Sequence, residues 1–334
     1  MLRLLKRIVW MTALLAVLAG AGTAWWSLRE LPLKTPVVDL SIEPQTPVRG
    51  IAQAVVDAGV DVNATLLYAF LRASGQSRKL RAGSYELSQG NTPLDLLRKL
   101  SRGEESLKAV TLIDGWTFRQ FRVALNKAEG LKHDAKDLSD EQIMAQLGMP
   151  GVAPEGRFFP DTYTYGKGTS ELRVMQRAAN AMTKQLAAAW GQRQSDIQVK
   201  NIDQALILAS IIEKETGRES DRTTISRVFH NRLAIDMPLQ TDPTVIYGLF
   251  DNFDGNLRRS DLRTDHPWNT YTRKGLPPTP IAMPGRNALK AAVQPAPSNA
   301  LYFVAKGDGT SYFSATLEEH NAAVNRYQRK ASGQ

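Results

Sequence analysis

A carboxylate that ends a wholly apolar helix is placed to hold a proton near neutral pH. Residues 205–212 read Ala-Leu-Ile-Leu-Ala-Ser-Ile-Ile, eight positions with one hydroxyl, Ser210, and lead directly into Glu213. A helix that is apolar all round is a buried helix. Glu213 therefore emerges at the end of a core element, where Ala209, Ser210 and Ile212 offer little solvation. Partial burial disfavours the anion and raises the pKa, which is the tuning a general acid needs. Glu215 stands two residues on, about 200° around the helix, so the two carboxylates cannot address one substrate from the same helix. A structural role is the alternative: a helix-terminal glutamate paired with Lys214, Lys184 or an arginine.

Other chemistries are thinly provided for. With no cysteine, the chain lacks disulfides, thiolate metal sites and cysteine nucleophiles. Its four histidines, His133, His230, His266 and His320, show no HExxH spacing, and no common phosphate loop occurs. A metal-free, cofactor-free chain working through carboxylates or hydroxyls is expected. The net charge of +9 is spread along the sequence and not gathered into basic runs. That suits an anionic surface or polymer better than nucleic acid, for which no clustered basic face is visible.

Such a group needs a frame, and the frame reads as α+β: an N-terminal transmembrane helix, a small α+β subdomain, and a larger, mainly helical catalytic domain with long loops and a few strands. Residues 8–28 are 21 positions without a formal charge, about 31 Å of helix and enough for a bilayer core. Arg3, Lys6 and Arg7 precede them, Trp25 and Trp26 lie near the far end, and Arg29 and Glu30 close the stretch. This pattern predicts a single-pass anchor in the cell (inner) membrane, with residues 1–7 cytoplasmic and the bulk periplasmic or extracytoplasmic. Ala19, Gly20 and Ala21 also have the small-x-small form of a signal-peptidase site. Either way, residues 29–334 are exported. Residues 29–36, with Pro32 and Pro36, form a linker.

Residues 37–113 make the small subdomain. A strand is expected over 37–42. Thr46 and Pro47 supply an N-cap and first-turn proline for a helix to 58, and a second helix covers 63–74. A short strand over 84–87 follows. Thr92 and Pro93 then open a helix with Leu94, Leu97 and Leu100 on one face, ended by Gly103, and a strand covers 107–113. Residues 114–334 are mainly helical. Thr117 caps a helix bearing Phe118, Phe121 and Leu125. Leu172, Met175, Ala179, Met182 and Leu186 mark an amphipathic helix over 171–190, Asp203 caps a helix over 204–216, and another covers 223–233. Loops at 237–248 and 275–285 and a strand at 301–305 complete the reading. Loops of that length in a compact domain are often functional.

Around Glu213 the sequence resembles the MltG-type (YceG-like) endolytic murein transglycosylases. Residues 208–216 (LASIIEKET) are similar to the family's catalytic helix, 228–233 (VFHNRL) to the helix after it, and 239–248 (LQTDPTVIYG) to its characteristic loop. Asn269-Thr270-Tyr271, Gly275-Leu276-Pro277-Pro278 and residues 301–304 (LYFV) match in the same order. Glu155-Gly156 and residues 159–163 (FPDTY) match upstream, as does the Ala82-Gly83-Ser84-Tyr85 turn of a LysM-like subdomain. One departure is Ser311, where the family usually has a His two residues before Phe313; His320 does fit a family pattern.

The resemblance implies a lyase that cleaves the bond from N-acetylmuramic acid to N-acetylglucosamine and leaves a 1,6-anhydro ring, with Glu213 as the catalytic residue. It also implies action on nascent glycan strands at the membrane, with peptidoglycan synthases as neighbours. Sugars call for amides, hydroxyls and flat aromatic faces, and the loops offer Gln240, Thr241, Asp242, Tyr247, Asn269 and Tyr271 as substrate-binding candidates, with Trp116 and Trp268 beside them. Asp242 before Pro243 also reads as a turn former, and the tyrosines as core. The rival functions are a non-catalytic peptidoglycan-binding scaffold and a water-using muramidase, whose second carboxylate would be Asp242 or Glu219.

Overall fold

Side-chain caps set where several helices begin, and two of them differ from expectation. The computed structural model describes residues 2–329, apart from the side chains of residues 2–5, 7–9, 13, 16, 19, 251 and 329. The structure is mixed α+β, mostly helical, with three two-stranded sheets among the described residues. The chain divides into two units: residues 1–109, 129–132 and 164–169, and residues 110–128, 133–163 and 170–334.

The first unit contains α1 (Leu2–Ser27), β1 (Val37–Ile42), α2 (Val48–Asp57), α3 (Ala64–Ala73), β2 (Gly83–Ser88) and α4 (Pro93–Arg102). β1 and β2 pair antiparallel, with Val37 opposite Ser88 and Ile42 opposite Gly83. The alternation of β1 turns Val38, Leu40 and Ile42 into a core shared with Ile51, Val55, Leu67, Leu71 and Leu87. The cap of α2 is Pro47 and not Thr46, whose hydroxyl donates instead to the Glu43 carbonyl at 2.7 Å. Asn63 caps α3 by accepting from Thr65 N and Leu66 N. Thr92 and Asp95 form a capping box on α4, which ends at Gly103 with φ +72, a conformation glycine adopts freely. Its buried face is Pro93, Leu96, Leu97 and Leu100, the i, i+3, i+4, i+7 stripe; Leu94, one position off that stripe, is exposed.

Residues 8–27 of the predicted span 8–28 fall within α1, several of whose side chains lie outside the described residues. Among the described residues, no helix is long and apolar enough to cross a membrane. The far end of α1 is packed: Ser27 is buried, and the Trp26 ring meets Phe70 edge-on at 5.5 Å.

β3 (Leu107–Thr111) pairs with β4 (Thr162–Gly166), and the division between the units falls within both strands. The second unit contains α5 (Phe118–Lys127), α6 (Asp140–Gln146), α7 (Glu171–Gly191), α8 (Ile202–Glu215), α9 (Glu219–Ala234), α10 (Asp242–Leu249), α11 (Arg259–Arg263), α12 (Arg286–Val293), the hairpin β5 (Tyr302–Ala305) and β6 (Ser311–Ser314), and α13 (Leu317–Val324). α8 is its central element. Every residue from 205 to 212 is buried, against α7, α9 and α12. Its cap is Asn201, whose side chain accepts from Gln204 N at 2.9 Å, so Asp203 lies inside the first turn. Half of the loop expected at 237–248 is helix α10, because Pro243 occupies the first turn, where its missing N–H has no intrahelical partner to lose. The 275–285 segment carries no helix or strand and delivers Gly285 to the start of α12.

Candidate active site

The buried run of α8 ends where its sequence turns polar, and Glu213 is the first side chain past that point. Its side chain is 8% exposed. Gly285 N–H donates to Oε2 at 2.9 Å, and Arg222 Nη2 stands 3.5 Å from Oε1. Burial pushes the Glu213 carboxyl above the usual carboxylate range. The Gly285 N–H and the Arg222 guanidinium oppose that shift, the Asp114 carboxylate reinforces it, and Lys214 opposes it more weakly. The arginine foreseen as a structural partner is therefore Arg222, reaching from α9. Lys214 donates instead to the Gly115 carbonyl at 3.3 Å.

Glu215 faces different neighbours, as the helical spacing requires. The Thr241 hydroxyl donates to it, and burial pushes its carboxyl up to about 7, with Asp242 adding to the rise. Thr241, Asp242 and Tyr271 gather here: Tyr271 OH donates to Asp242. Gln240 is exposed, with φ +49 and its N–H bonded to the Thr270 carbonyl. Asn269 is fully buried; its amide donates to the carbonyls of Asp261, Leu262 and Thr264, and its oxygen accepts from Tyr271 N. These bonds occupy Asn269 in holding its own loop.

A cavity of about 850 Å³ lies beside the α8 terminus, lined by Phe118, Glu155, Lys214, Tyr247, Phe250 and Trp268 among others. Of the six substrate-binding candidates Tyr247 lines it, and of the two tryptophans named beside them so does Trp268. Tyr247, Phe250 and Trp268 form a mutual aromatic cluster with ring centroids 5.4 to 5.6 Å apart. The sequence reading left out Glu155 as a site residue, although its Glu-Gly motif was part of the family resemblance. Its carboxylate accepts from Phe118 N at 3.0 and 3.2 Å and from Tyr247 OH at 3.2 Å, and burial pushes it up to about 7. Only the folded chain reveals this, since Phe118 and Tyr247 are 37 and 92 positions away.

The helix after Glu213 has a structural task. His230 Nδ1 accepts from Gln198 N, and its Nε2 meets the Ala292 carbonyl, an arrangement that fixes the neutral ring with Nε2 as donor. Asn231 donates to the carbonyls of Ser298 and Ala300, and Arg232 to those of Leu301 and Leu239. The 228–233 motif thus lashes irregular chain to α9. Ser311, the departure from the family pattern, opens β6 and uses its backbone N–H on Asp221 at 2.7 Å. His320 stacks on Tyr302 with centroids 5.2 Å apart. Among the described residues no group of three or more His, Asp or Glu could hold a metal ion.

The sequence profile of the YceG-like family matches residues 40–326. A Bacillus subtilis (strain 168) protein named endolytic murein transglycosylase is 31% identical over 309 residues, covering 87% of this chain and 84% of that one. A protein of the same name from Streptococcus pneumoniae serotype 2 is 28% identical over 330 residues; the match covers 86% of this chain and 58% of the longer relative. Among crystal structures, a yceG-like protein from Listeria monocytogenes aligns with a TM-score of 0.55 and 30% identity, over 86% of this chain and 98% of that one. With the match extending through both units and through the helix that carries Glu213, the chain belongs to the YceG-like family.

Proposed function

We propose that the protein is an endolytic peptidoglycan lytic transglycosylase that cleaves the bond from N-acetylmuramic acid to N-acetylglucosamine and leaves 1,6-anhydro ends. The observation that carries this reading is Glu213, a carboxyl 8% exposed at the end of a buried helix and held by one backbone N–H. In the proposed reaction, protonated Glu213 gives its proton to the departing glycosidic oxygen as the C1–O bond breaks. The resulting carboxylate takes the proton of the muramoyl C6 hydroxyl, whose oxygen closes onto C1. One titrating group serves both steps because the nucleophile is already on the same sugar. The raised pKa of Glu213 supports the acid half of the cycle. The aromatic wall of Tyr247, Phe250 and Trp268 offers apolar faces to a neighbouring sugar ring.

The same proposal puts α1 in the cell membrane, N-terminus inside, as a single-pass anchor that confines the enzyme to nascent strands and to the synthases that make them. Supporting it, Trp10, Met11, Leu14, Leu15, Val17, Leu18 and Trp25 of α1 are all exposed, more apolar surface than a helix in water normally shows. The first unit serves as a LysM-like glycan holder. It has its own cavity of about 420 Å³, bordered by Asp39, Ser41, Ser84, Tyr85 and Lys167.

Mass spectrometry of purified peptidoglycan digested by the full chain in detergent, beside Glu213→Gln, tests the activity. Internal fragments with anhydro-muramic ends, absent with the variant, are the expected result. Reducing ends would replace it with a muramidase, and binding without cleavage with a scaffold.

A further inference from the structure

A second carboxylate stands against the same glycine that holds Glu213. A Cβ built on Gly285 would lie 2.6 Å from Oδ2 and 2.8 Å from Oδ1 of Asp114, so the Asp114 carboxylate occupies the space over that residue. The N–H of Gly285 meanwhile donates to Glu213 Oε2 at 2.9 Å. The placement is enforced by backbone. Gly115 N donates to the Met283 carbonyl at 2.9 Å, and Met283 N donates to the Trp116 carbonyl at 2.7 Å. This two-bond clamp fixes residues 114–116 alongside 283–285. A Cβ on Gly115 would in turn sit 3.6 Å from Lys214 Cδ and 3.8 Å from Glu213 Cγ, so the clamped segment runs beside the end of α8.

We propose that Asp114 is a positioning residue for the reaction: held across Gly285 from Glu213, its negative charge biases Glu213 towards the protonated acid. The groups that face Glu213 are the Gly285 N–H, Arg222 from α9, Asp114 from the clamped segment, and Lys214 of its own helix. Arg222 and Lys214 favour the Glu213 anion; Asp114 opposes them. Burial pushes the Asp114 carboxyl itself above the usual carboxylate range; Arg222 opposes that rise and Asp161 adds to it. Without Asp114, the Arg222 guanidinium, 3.5 Å from Oε1, acts on Glu213 unopposed by a carboxylate. Burial would still raise the Glu213 carboxyl, but by less, and a smaller share of it would carry the proton at a given pH. A like charge nearby raises a carboxyl pKa and its removal lowers it. Arg222 thus favours the carboxylate needed for the second task, and Asp114 adds to the burial that favours the proton for the first.

The proposal rests on Glu213 acting as general acid, so its test reads Glu213 twice, once through catalysis and once without it. In the full chain, Asp114→Asn, nearly isosteric, and Asp114→Glu, which restores the charge, are compared with wild type. The basic limb of the kcat profile on purified peptidoglycan should move to lower pH in Asp114→Asn, with KM little changed, and return in Asp114→Glu. Independently, 13C NMR titration of glutamate carboxyls, with the Glu213 resonance assigned from Glu213→Gln, should show the same downward shift. A titration of Glu213 unchanged by Asp114→Asn overturns the proposal, whether or not activity falls. A shifted titration with no anhydro products from wild type would sustain the electrostatic pairing and overturn the transglycosylase reading instead.

Discussion

The backbone N–H of Gly285 donates to Oε2 of Glu213 at 2.9 Å across 72 positions of sequence, tying the end of α8 to the start of α12. The bond fixes one carboxyl oxygen, and the glycine that makes it has no room for a side chain because the Asp114 carboxylate fills that space. Gly285→Ala should therefore displace either Asp114 or the N–H from Glu213. A small misplacement at a reacting centre can lower kcat by about 10²-fold, while overpacking costs about 1–3 kcal/mol of stability. The expected signature is a fall in kcat larger than the rise in KM, measured beside a urea unfolding curve. Wild-type kcat with an ordinary loss of stability would mean that the Gly285 bond does not set the geometry of the acid.

Glu155 and Glu215 are both pushed up to about 7 by burial, so their protonated forms are favoured in the folded chain. For a carboxyl raised from 4.5, the folded state binds more protons than the unfolded chain between about pH 4.5 and 7. Stability from these groups is full below that window and falls as pH rises through it. His230, lowered by burial, contributes with the opposite sign, because its neutral form is the one the fold holds. The informative quantity is the difference between wild type and Glu155→Gln, and separately Glu215→Gln, in unfolding free energy at pH 5 and at pH 7.5. Each variant should lose more stability relative to wild type at pH 5 than at pH 7.5. Equal differences at both pH values would mean that the carboxyl titrates normally.

How far the site was legible in the sequence depended on whether its parts were local. Glu213 was legible because the apolar run 205–212 and the carboxylate after it are contiguous, and burial follows from the run itself. The opposite facing of Glu215 followed from helical spacing. Thr92 and Thr117 act as caps as expected, since capping is decided within four residues. Thr46 and Asp203 are not the caps because Pro47, one position on, and Asn201, two positions back, take those places, with the Thr46 hydroxyl on the Glu43 carbonyl and the Asn201 side chain on Gln204 N. Asp114, Arg222 and Gly285 were invisible as a group: they lie 99, 9 and 72 positions from Glu213, and only tertiary structure brings them to it. Glu155 stayed hidden for the same reason. Asn269 and Thr241 looked like sugar ligands by type, whereas their polar atoms are already engaged inside the protein.

That difference makes Asn269 a test of stability more than of binding. Its amide donates to three carbonyls and its oxygen accepts from Tyr271 N, which ties the end of α11 to the loop after it. Asn269→Ala would take the partner from three carbonyls and one N–H, most of them half-buried. Each unsatisfied buried group costs about 1–3 kcal/mol, so a total on the order of 3 kcal/mol is expected. Chemical denaturation should register the loss, and KM measured well below the unfolding midpoint should change by less than about threefold. A large rise in KM with stability intact would restore Asn269 to the substrate side.

Phe250 joins backbone strain to an exposed aromatic ring at the cavity. Its φ is +48, and 53% of the residue is exposed while the ring packs on Tyr247 and Trp268. A bulky side chain in that conformation costs on the order of 1–3 kcal/mol, and such strain tends to collect at functional sites. Phe250→Ala and Phe250→Gly both remove the ring, so both should raise KM for glycan by up to about tenfold, with kcat little changed. They should differ in stability. Alanine keeps a Cβ in the left-handed region, whereas glycine occupies it without strain, so Phe250→Gly should be the more stable of the two by about 1 kcal/mol. That reverses the usual order, in which alanine exceeds glycine, and thermal unfolding of the pair reads it directly. If alanine proves the more stable, the backbone at 250 is not strained. If neither variant changes KM, the aromatic wall does not hold sugar, and the cavity loses its part in substrate binding while Glu213 keeps its own.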